Sequence, residues 1–208
     1  SIRNGDIDAG ITSKANGSTV TLNYHGTALT GASDNLDVTL SGADGDLDIT
    51  GVNAANSLET LTINSISDGT LDDIDLTNAN TTKLVVTGSG ASNIAGITGA
   101  ATTLNTIDAS AATGAVTVTG VNTTANTITG GSGNDTLAGA AGNDTISSGT
   151  GDDQVTGAAG NDNVTLGAGN DTVVLATAAD VTKDDAIDGG EGTDTLTLTG
   201  TLDYSTAG

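Results

Sequence analysis

The sequence predicts an all-β fold, a parallel β-solenoid whose repeat shortens part-way along the chain. Three observations predict it. Short segments alternate apolar and polar residues, are rich in Thr, and are bounded by Gly, Asn and Ser, the pattern of half-buried strands. Over roughly residues 35–129 these segments recur every 21–23 residues, and a fixed period of that size marks stacked coils that share one core. From Gly130 a second period, of nine residues, takes over.

Composition narrows the fold further. The 208 residues include 31 Gly and no Pro, Cys, Met, Trp or Phe, and Tyr24 and Tyr204 are the whole aromatic complement. Leu, Ile and Val together make about a fifth of the chain, close to the ~20% below which a strongly charged chain stays disordered. Large side chains are therefore too few for an ordinary globular core. Gly and Thr density, and the lack of any 3.6-residue apolar stripe, exclude helices.

Charge and missing residue types exclude functions. Four Lys and Arg against 26 Asp and Glu give a net charge of −22. Nucleic-acid binding needs clustered cations, so no nucleic-acid partner is expected. No apolar run approaches the ~20 residues of a membrane helix, so no membrane insertion is expected. Without Cys there are no disulfides or thiolate metal sites. The single His25 leaves no other place for a histidine-based triad. No HExxH or GxSxG motif occurs, and the chain reads as non-enzymatic. Its start at Ser1, with neither Met nor a signal peptide, reads as an excised or processed piece.

Taken in order, the first region (1–129) is the β-solenoid. Val38, Leu61, Leu84 and Ile107 recur every 23 residues and Ile128 follows after 21. They sit in NLDVTLSG, ETLTINS, TKLVVTG, LNTIDAS and ANTITGG, and each unit adds a second segment: GDLDITG, LDDIDLT, NIAGITG, GAVTVTG. The near-constant step and small inward residues favour the solenoid over an antiparallel sandwich of hairpins. Tyr24 and His25 in STVTLNYH read as a surface or inter-coil contact. Asp44, Asp46 and Asp48, then Asp72, Asp73 and Asp75, read as the solvated face of alternating strands, with weak calcium coordination at coil edges as the other reading. The D-x-D-x-D spacing lacks the Glu that an EF-hand loop needs at its twelfth position. Glycoside hydrolysis by paired carboxylates is disfavoured, since no aromatic platform would hold a sugar.

The second region (130–180) reads GGSGNDTLA, GAAGNDTIS, SGTGDDQVT, GAAGNDNVT and LGAGNDTVV, five nonapeptides without insertion. A detached copy, GGEGTDTLT, begins at Gly189 in a third region (181–208) that also starts a further β segment. Position six is always Asp (Asp135, Asp144, Asp153, Asp162, Asp171 and, in the detached copy, Asp194) and position eight is always aliphatic. Turn preference alone accounts poorly for an Asp and an aliphatic two residues apart that recur together every nine residues.

The pattern G-G-x-G-x-D-x-U-x resembles the calcium-binding nonapeptide of RTX proteins. The resemblance implies a parallel β-roll in which two nonapeptides close an 18-residue coil. Aspartates 18 apart then lie about 4.8 Å apart on one edge. Two bare carboxylates there repel by about 3 kcal/mol at an effective dielectric of 20. A Ca2+ between them reverses the sign, with backbone carbonyls as the remaining hard oxygen ligands. In the RTX scheme, carbonyls of positions two and four and the Asp of one turn face carbonyls of positions one and three and the Asp of the next. This implies one site from Gly131, Gly133, Asp135, Ser148, Thr150 and Asp153. A second takes Ala140, Gly142, Asp144, Gly157, Ala159 and Asp162, and a third Gly149, Gly151, Asp153, Leu166, Ala168 and Asp171. Asp180 stands 18 residues after Asp162 and suggests a fourth, although its turn, LATAAD, lacks glycine. Asp194 has no partner 18 residues further on.

The order of solenoid, nonapeptide cluster and fresh β segment also resembles calcium-dependent S-layer proteins of Gram-negative bacteria, on ETLTIN, KLVVTG, TIDASAATGAVTVTG, TITGGSGNDTL and GGEGTDTLTLTG. That resemblance implies a self-assembling extracellular coat, exported by type I secretion, whose partners are calcium and other copies of itself. A secretion signal and any surface anchor would lie in parts not in this chain. A stalk of a large RTX adhesin or biofilm-matrix protein, and the non-catalytic tail of a secreted enzyme, use the same repeats. Because cytosolic free calcium is low, a chain of charge −22 stays self-repelling before export, and metal binding outside couples to folding.

Overall fold

A computed structural model describes residues 7–12, 20–24, 35–41, 44–51, 58–67, 69–75, 81–94, 97–98, 103–119, 125–176 and 184–199. These residues contain strands and turns and no helix. Nine strands form the first sheet: β1 (Ile7–Thr12), β3 (Asn35–Ser41), β5 (Thr60–Ser65), β7 (Lys83–Gly88), β10 (Thr106–Ala112), β12 (Thr127–Thr129), β14 (Thr145–Thr150), β16 (Asn163–Ala168) and β18 (Ala186–Asp188). The second sheet runs β2 (Val20–Tyr24), β4 (Asp44–Gly51), β6 (Gly69–Asp75), β8 (Ser92–Ile94), β11 (Val116–Val118), β13 (Thr136–Ala138), β15 (Gln154–Thr156), β17 (Thr172–Leu175) and β19 (Thr195–Leu198), with the short β9 (Ile97–Thr98) also on β6.

From β1 to β7 and from β10 onward the chain alternates between the two sheets, and every pairing is parallel. Both sheets run unbroken through residue 130. The architecture is the expected parallel solenoid passing into a roll.

Register gives the coil lengths. Leu36 pairs with Leu61, Leu61 with Leu84, Leu84 with Ile107 and Ile107 with Ile128, which are steps of 25, 23, 23 and 21. Val38 stacks on Ile63, so the expected Val38–Leu61 step is corrected by two residues: two inward rows run along β3, and even 23-residue spacing joined one row to the other. Ile128, Ile146 and Val164 follow at 18 and 18. Ile187 then follows at 23.

The core explains the shortening. Leu36 with Val38, Leu61 with Ile63, and Leu84 with Val86 bury two large side chains per strand. In β10 the inward set becomes Ile107, Ala109 and Ala112, and in β12 Ile128 remains alone. A narrower interior needs fewer residues per coil, and within the roll β16 is the exception in the first sheet, burying Leu166 beside Val164. Opposite them, Ile94, Val118, Leu137, Val155 and Val173 form the second buried row. Each such burial contributes roughly 1.5–3 kcal/mol.

The side chains of Asp44, Asp46, Asp48, Asp72, Asp73 and Asp75 lie outside the described residues, although their backbones form β4 and β6. The side chain of Tyr24 at the end of β2, and His25, lie outside them too.

Candidate metal centre

The nonapeptide places a turn at each edge of the two-sheet stack. Positions seven to nine form the strand and positions one to six cross to the other sheet. Turns 130–135, 148–153, 166–171 and 189–194 therefore lie on one edge, and 139–144 and 157–162 on the opposite edge.

The position-six aspartates stack as ladders. Asp135 N donates to Asp153 Oδ1 (2.7 Å), Asp153 N to Asp171 Oδ1 (2.7 Å) and Asp171 N to Asp194 Oδ1 (3.0 Å). On the other edge Asn126 N donates to Asp144 Oδ1 (2.7 Å), Asp144 N to Asp162 Oδ1 (2.9 Å) and Asp162 N to Asp185 Oδ1 (2.9 Å). Asp135, Asp144, Asp153, Asp162 and Asp171 are all at most 5% exposed. Burial pushes the carboxyls of Asp135, Asp144 and Asp153 above the ordinary aspartate value of 3.8, and the charges of Asp135 and Asp171 push Asp153 further in the same direction.

One hydrogen-bonded oxygen does not satisfy a buried carboxylate. Oδ2 of Asp144, Asp153 and Asp171 has no hydrogen-bond partner, and an unmet buried charged oxygen is costly. Asp135 differs, since its Oδ2 accepts Gly131 N at 2.7 Å and its Oδ1 accepts Val116 N at 2.8 Å. No three Asp, Glu or His side chains among the described residues converge on one point. Each stacked pair brings two carboxylates, so backbone carbonyls must complete a coordination sphere of hard oxygens.

The turn backbone matches that need. In the four later nonapeptides positions two and four adopt positive φ: Ala140 (72°) with Gly142 (129°), Gly149 (106°) with Gly151 (120°), Ala158 (68°) with Gly160 (151°), and Gly167 (101°) with Gly169 (151°), whereas Gly131 and Gly133 of the first do not. At Gly160 a Cβ would also collide with the Gly142 carbonyl of the coil above. Glycine is thus required there for space as well as for φ.

The expected site residues fall as follows. Gly131, Gly133 and Asp135 lie over Ser148, Thr150 and Asp153, with Thr150 N donating to Gly131 O at 3.0 Å. Ala140, Gly142 and Asp144 lie over Gly157, Ala159 and Asp162, tied by Gly142 N to Ala159 O at 2.8 Å. Gly149, Gly151 and Asp153 lie over Leu166, Ala168 and Asp171, tied by Gly151 N to Ala168 O at 2.9 Å. Ser148 Oγ adds a bond to Leu166 O at 2.6 Å.

The place expected for Asp180 is corrected. β16 pairs with β18 at a step of 23 residues, so Asp185 stacks on Asp162, while Asp180 itself lies outside the described residues. A five-residue lengthening of that coil also brings Asp194 under Asp171, where Glu191 N donates to Gly167 O (2.7 Å) and Gly169 N to Glu191 O (2.9 Å). The Asp184–Asp185 pair repeats the Asp152–Asp153 pair and is the sequence signal for this register. Position five adds a second row of contacts between coils. Asn134 Oδ1 accepts Asp152 N, Asn143 Oδ1 accepts Asn161 N and Asp152 Oδ1 accepts Asn170 N, an exposed second ladder that ties coil to coil.

Comparison with family models decides what the ladders are. The model described as the RTX calcium-binding nonapeptide repeat, in four copies, matches residues 122–155, 139–173 and 182–199. The chain carries RTX calcium-binding repeats. Searches of curated proteins and of solved structures gave no match. RTX repeats bind Ca2+, and the buried, incompletely bonded carboxylate oxygens of this roll fit that ion. Proteins with such repeats are typically exported by type I secretion.

Proposed function

We propose that this chain is a structural, non-enzymatic segment of an extracellular calcium-dependent coat of the S-layer kind, in which calcium folds the roll and the folded solenoid assembles with its own copies. Calcium is held between stacked turns at Asp135 and Asp153, Asp153 and Asp171, Asp171 and Asp194, and Asp144 and Asp162. The observation that carries the reading is the burial of Asp144, Asp153 and Asp171, each with an Oδ2 that has no hydrogen-bond partner. A divalent cation supplies what the chain does not.

Inside a cell, at low calcium, the carboxylates repel and the repeat stays unfolded and competent for export. Outside, each ion adds two positive charges between stacked carboxylates and the coil closes. Assembly draws on a general property of solenoids, whose coils stack edge to edge and can stack in the same way on a coil of another copy.

Light scattering during a calcium titration tests the proposal. Particle mass is expected to rise with calcium, and ordered sheets are expected by negative-stain microscopy. A chain that folds with calcium yet stays monomeric at millimolar calcium would refute the coat.

A further inference from the structure

We infer that Asn126 ends the calcium ladder on its edge by putting an amide in the seat that an ion takes one coil lower; the inference rests on the calcium reading of the roll. Asn126 occupies the Asp place 18 residues above Asp144, and its backbone N donates to Asp144 Oδ1 as each ladder aspartate does. It is 3% exposed. Its Nδ2 donates to Asp144 Oδ1 and to the Gly139 carbonyl, both at 3.0 Å.

Those two acceptors have equivalents one coil down, in the Gly157 carbonyl and the Asp162 carboxylate. The side chain that stands there in place of Asn126 is Asp144, which cannot donate and whose Oδ2 has no hydrogen-bond partner. The same backbone position is thus served by N–H donors above and needs a cation below. The turn sequence agrees, since residues 121–126 read VNTTAN, without the glycines of the nonapeptide. Asn126 accordingly marks where stability stops depending on calcium and starts depending on the chain's own hydrogen bonds.

The test uses the full chain, with bound ions counted by native mass spectrometry and calcium-driven folding followed by circular dichroism. Asn126→Ala is expected to keep the wild-type ion count and to melt at lower temperature in calcium. Asn126→Asp, which sets a second carboxylate against Asp144, is expected to raise the calcium midpoint of folding several-fold. Loss of an ion in Asn126→Ala, or a wild-type midpoint in Asn126→Asp, would overturn the inference with the calcium reading intact. Should Asn126→Ala fail to fold, the Asn126→Asp midpoint decides. A wild-type chain that binds no ion would overturn both.

Discussion

Replacing Asp153 by Asn should change stability in opposite directions with and without calcium. Asp153 is buried at the middle of its ladder, with Oδ1 accepting Asp135 N at 2.7 Å and Oδ2 lacking a partner. The carboxylates of Asp135 and Asp171 lie one coil above and below, about 4.8 Å away by strand spacing. At that distance each pair of unit charges repels by about 3 kcal/mol at an effective dielectric of 20. Asn has the same shape, keeps an acceptor for Asp135 N, and removes the central charge from both pairs. In chelator the substitution is expected to stabilise the roll, by about 1–3 kcal/mol once part of the relief is lost to an imperfectly bonded amide. In calcium it takes one carboxylate from two seats. An ion at a hundred times its Kd adds about 2.7 kcal/mol, so losing two costs about 5 kcal/mol. Osmolyte-driven refolding in chelator and urea unfolding in millimolar calcium, both followed by circular dichroism and with ions counted by native mass spectrometry, measure the two. A loss of stability of equal size in the two conditions, or an unchanged ion count, would refute the reasoning.

Three further outcomes follow from the same geometry. Ala140 and Ala158 hold φ of 72° and 68°, a left-handed conformation that costs a non-glycine residue roughly 1–2 kcal/mol, so Ala140→Gly and Ala158→Gly should each raise the calcium-loaded Tm, the gain being about 1 kcal/mol. Because burial raises Asp135, Asp144 and Asp153 above 3.8, the folded, calcium-free roll binds more protons than the unfolded chain. Its stability in chelator should therefore rise as pH falls from neutral through those raised values and level off below 3.8, whereas in calcium acidification should weaken it; the folded fraction by circular dichroism between pH 7 and pH 4 in both conditions checks the two signs. Leu61→Ala empties a fully buried place between Leu36 and Leu84 and should cost about 2–5 kcal/mol, with the calcium count of the roll unchanged by native mass spectrometry.

What could be read from the sequence depended on whether the signal was periodic. The alternating segments and the phase-locked Asp–aliphatic pair gave strands, parallel stacking and the stacked turns, because a period of 18 forces equivalent residues onto one edge. The places that differed are those where the period changes. Leu36, two residues before Val38, carries the row because β3 holds two inward apolar residues, and only register separates them. Asp185 takes the place assigned to Asp180 because a longer connection restores the stack after β17, and strand pairing, which arithmetic along the chain cannot see, sets the meeting point. Asn126 is not legible in the sequence because it lies outside the nonapeptide pattern, and its role needs the Asp144 carboxylate above which it packs.

Diffraction from calcium-grown crystals, with data collected to show the anomalous signal of calcium, tests the central claim most directly. Peaks are expected between Asp135 and Asp153, Asp153 and Asp171, Asp171 and Asp194, and Asp144 and Asp162, with none between Asn126 and Asp144. Ordered water alone at those four seats, in crystals kept in millimolar calcium, would contradict it.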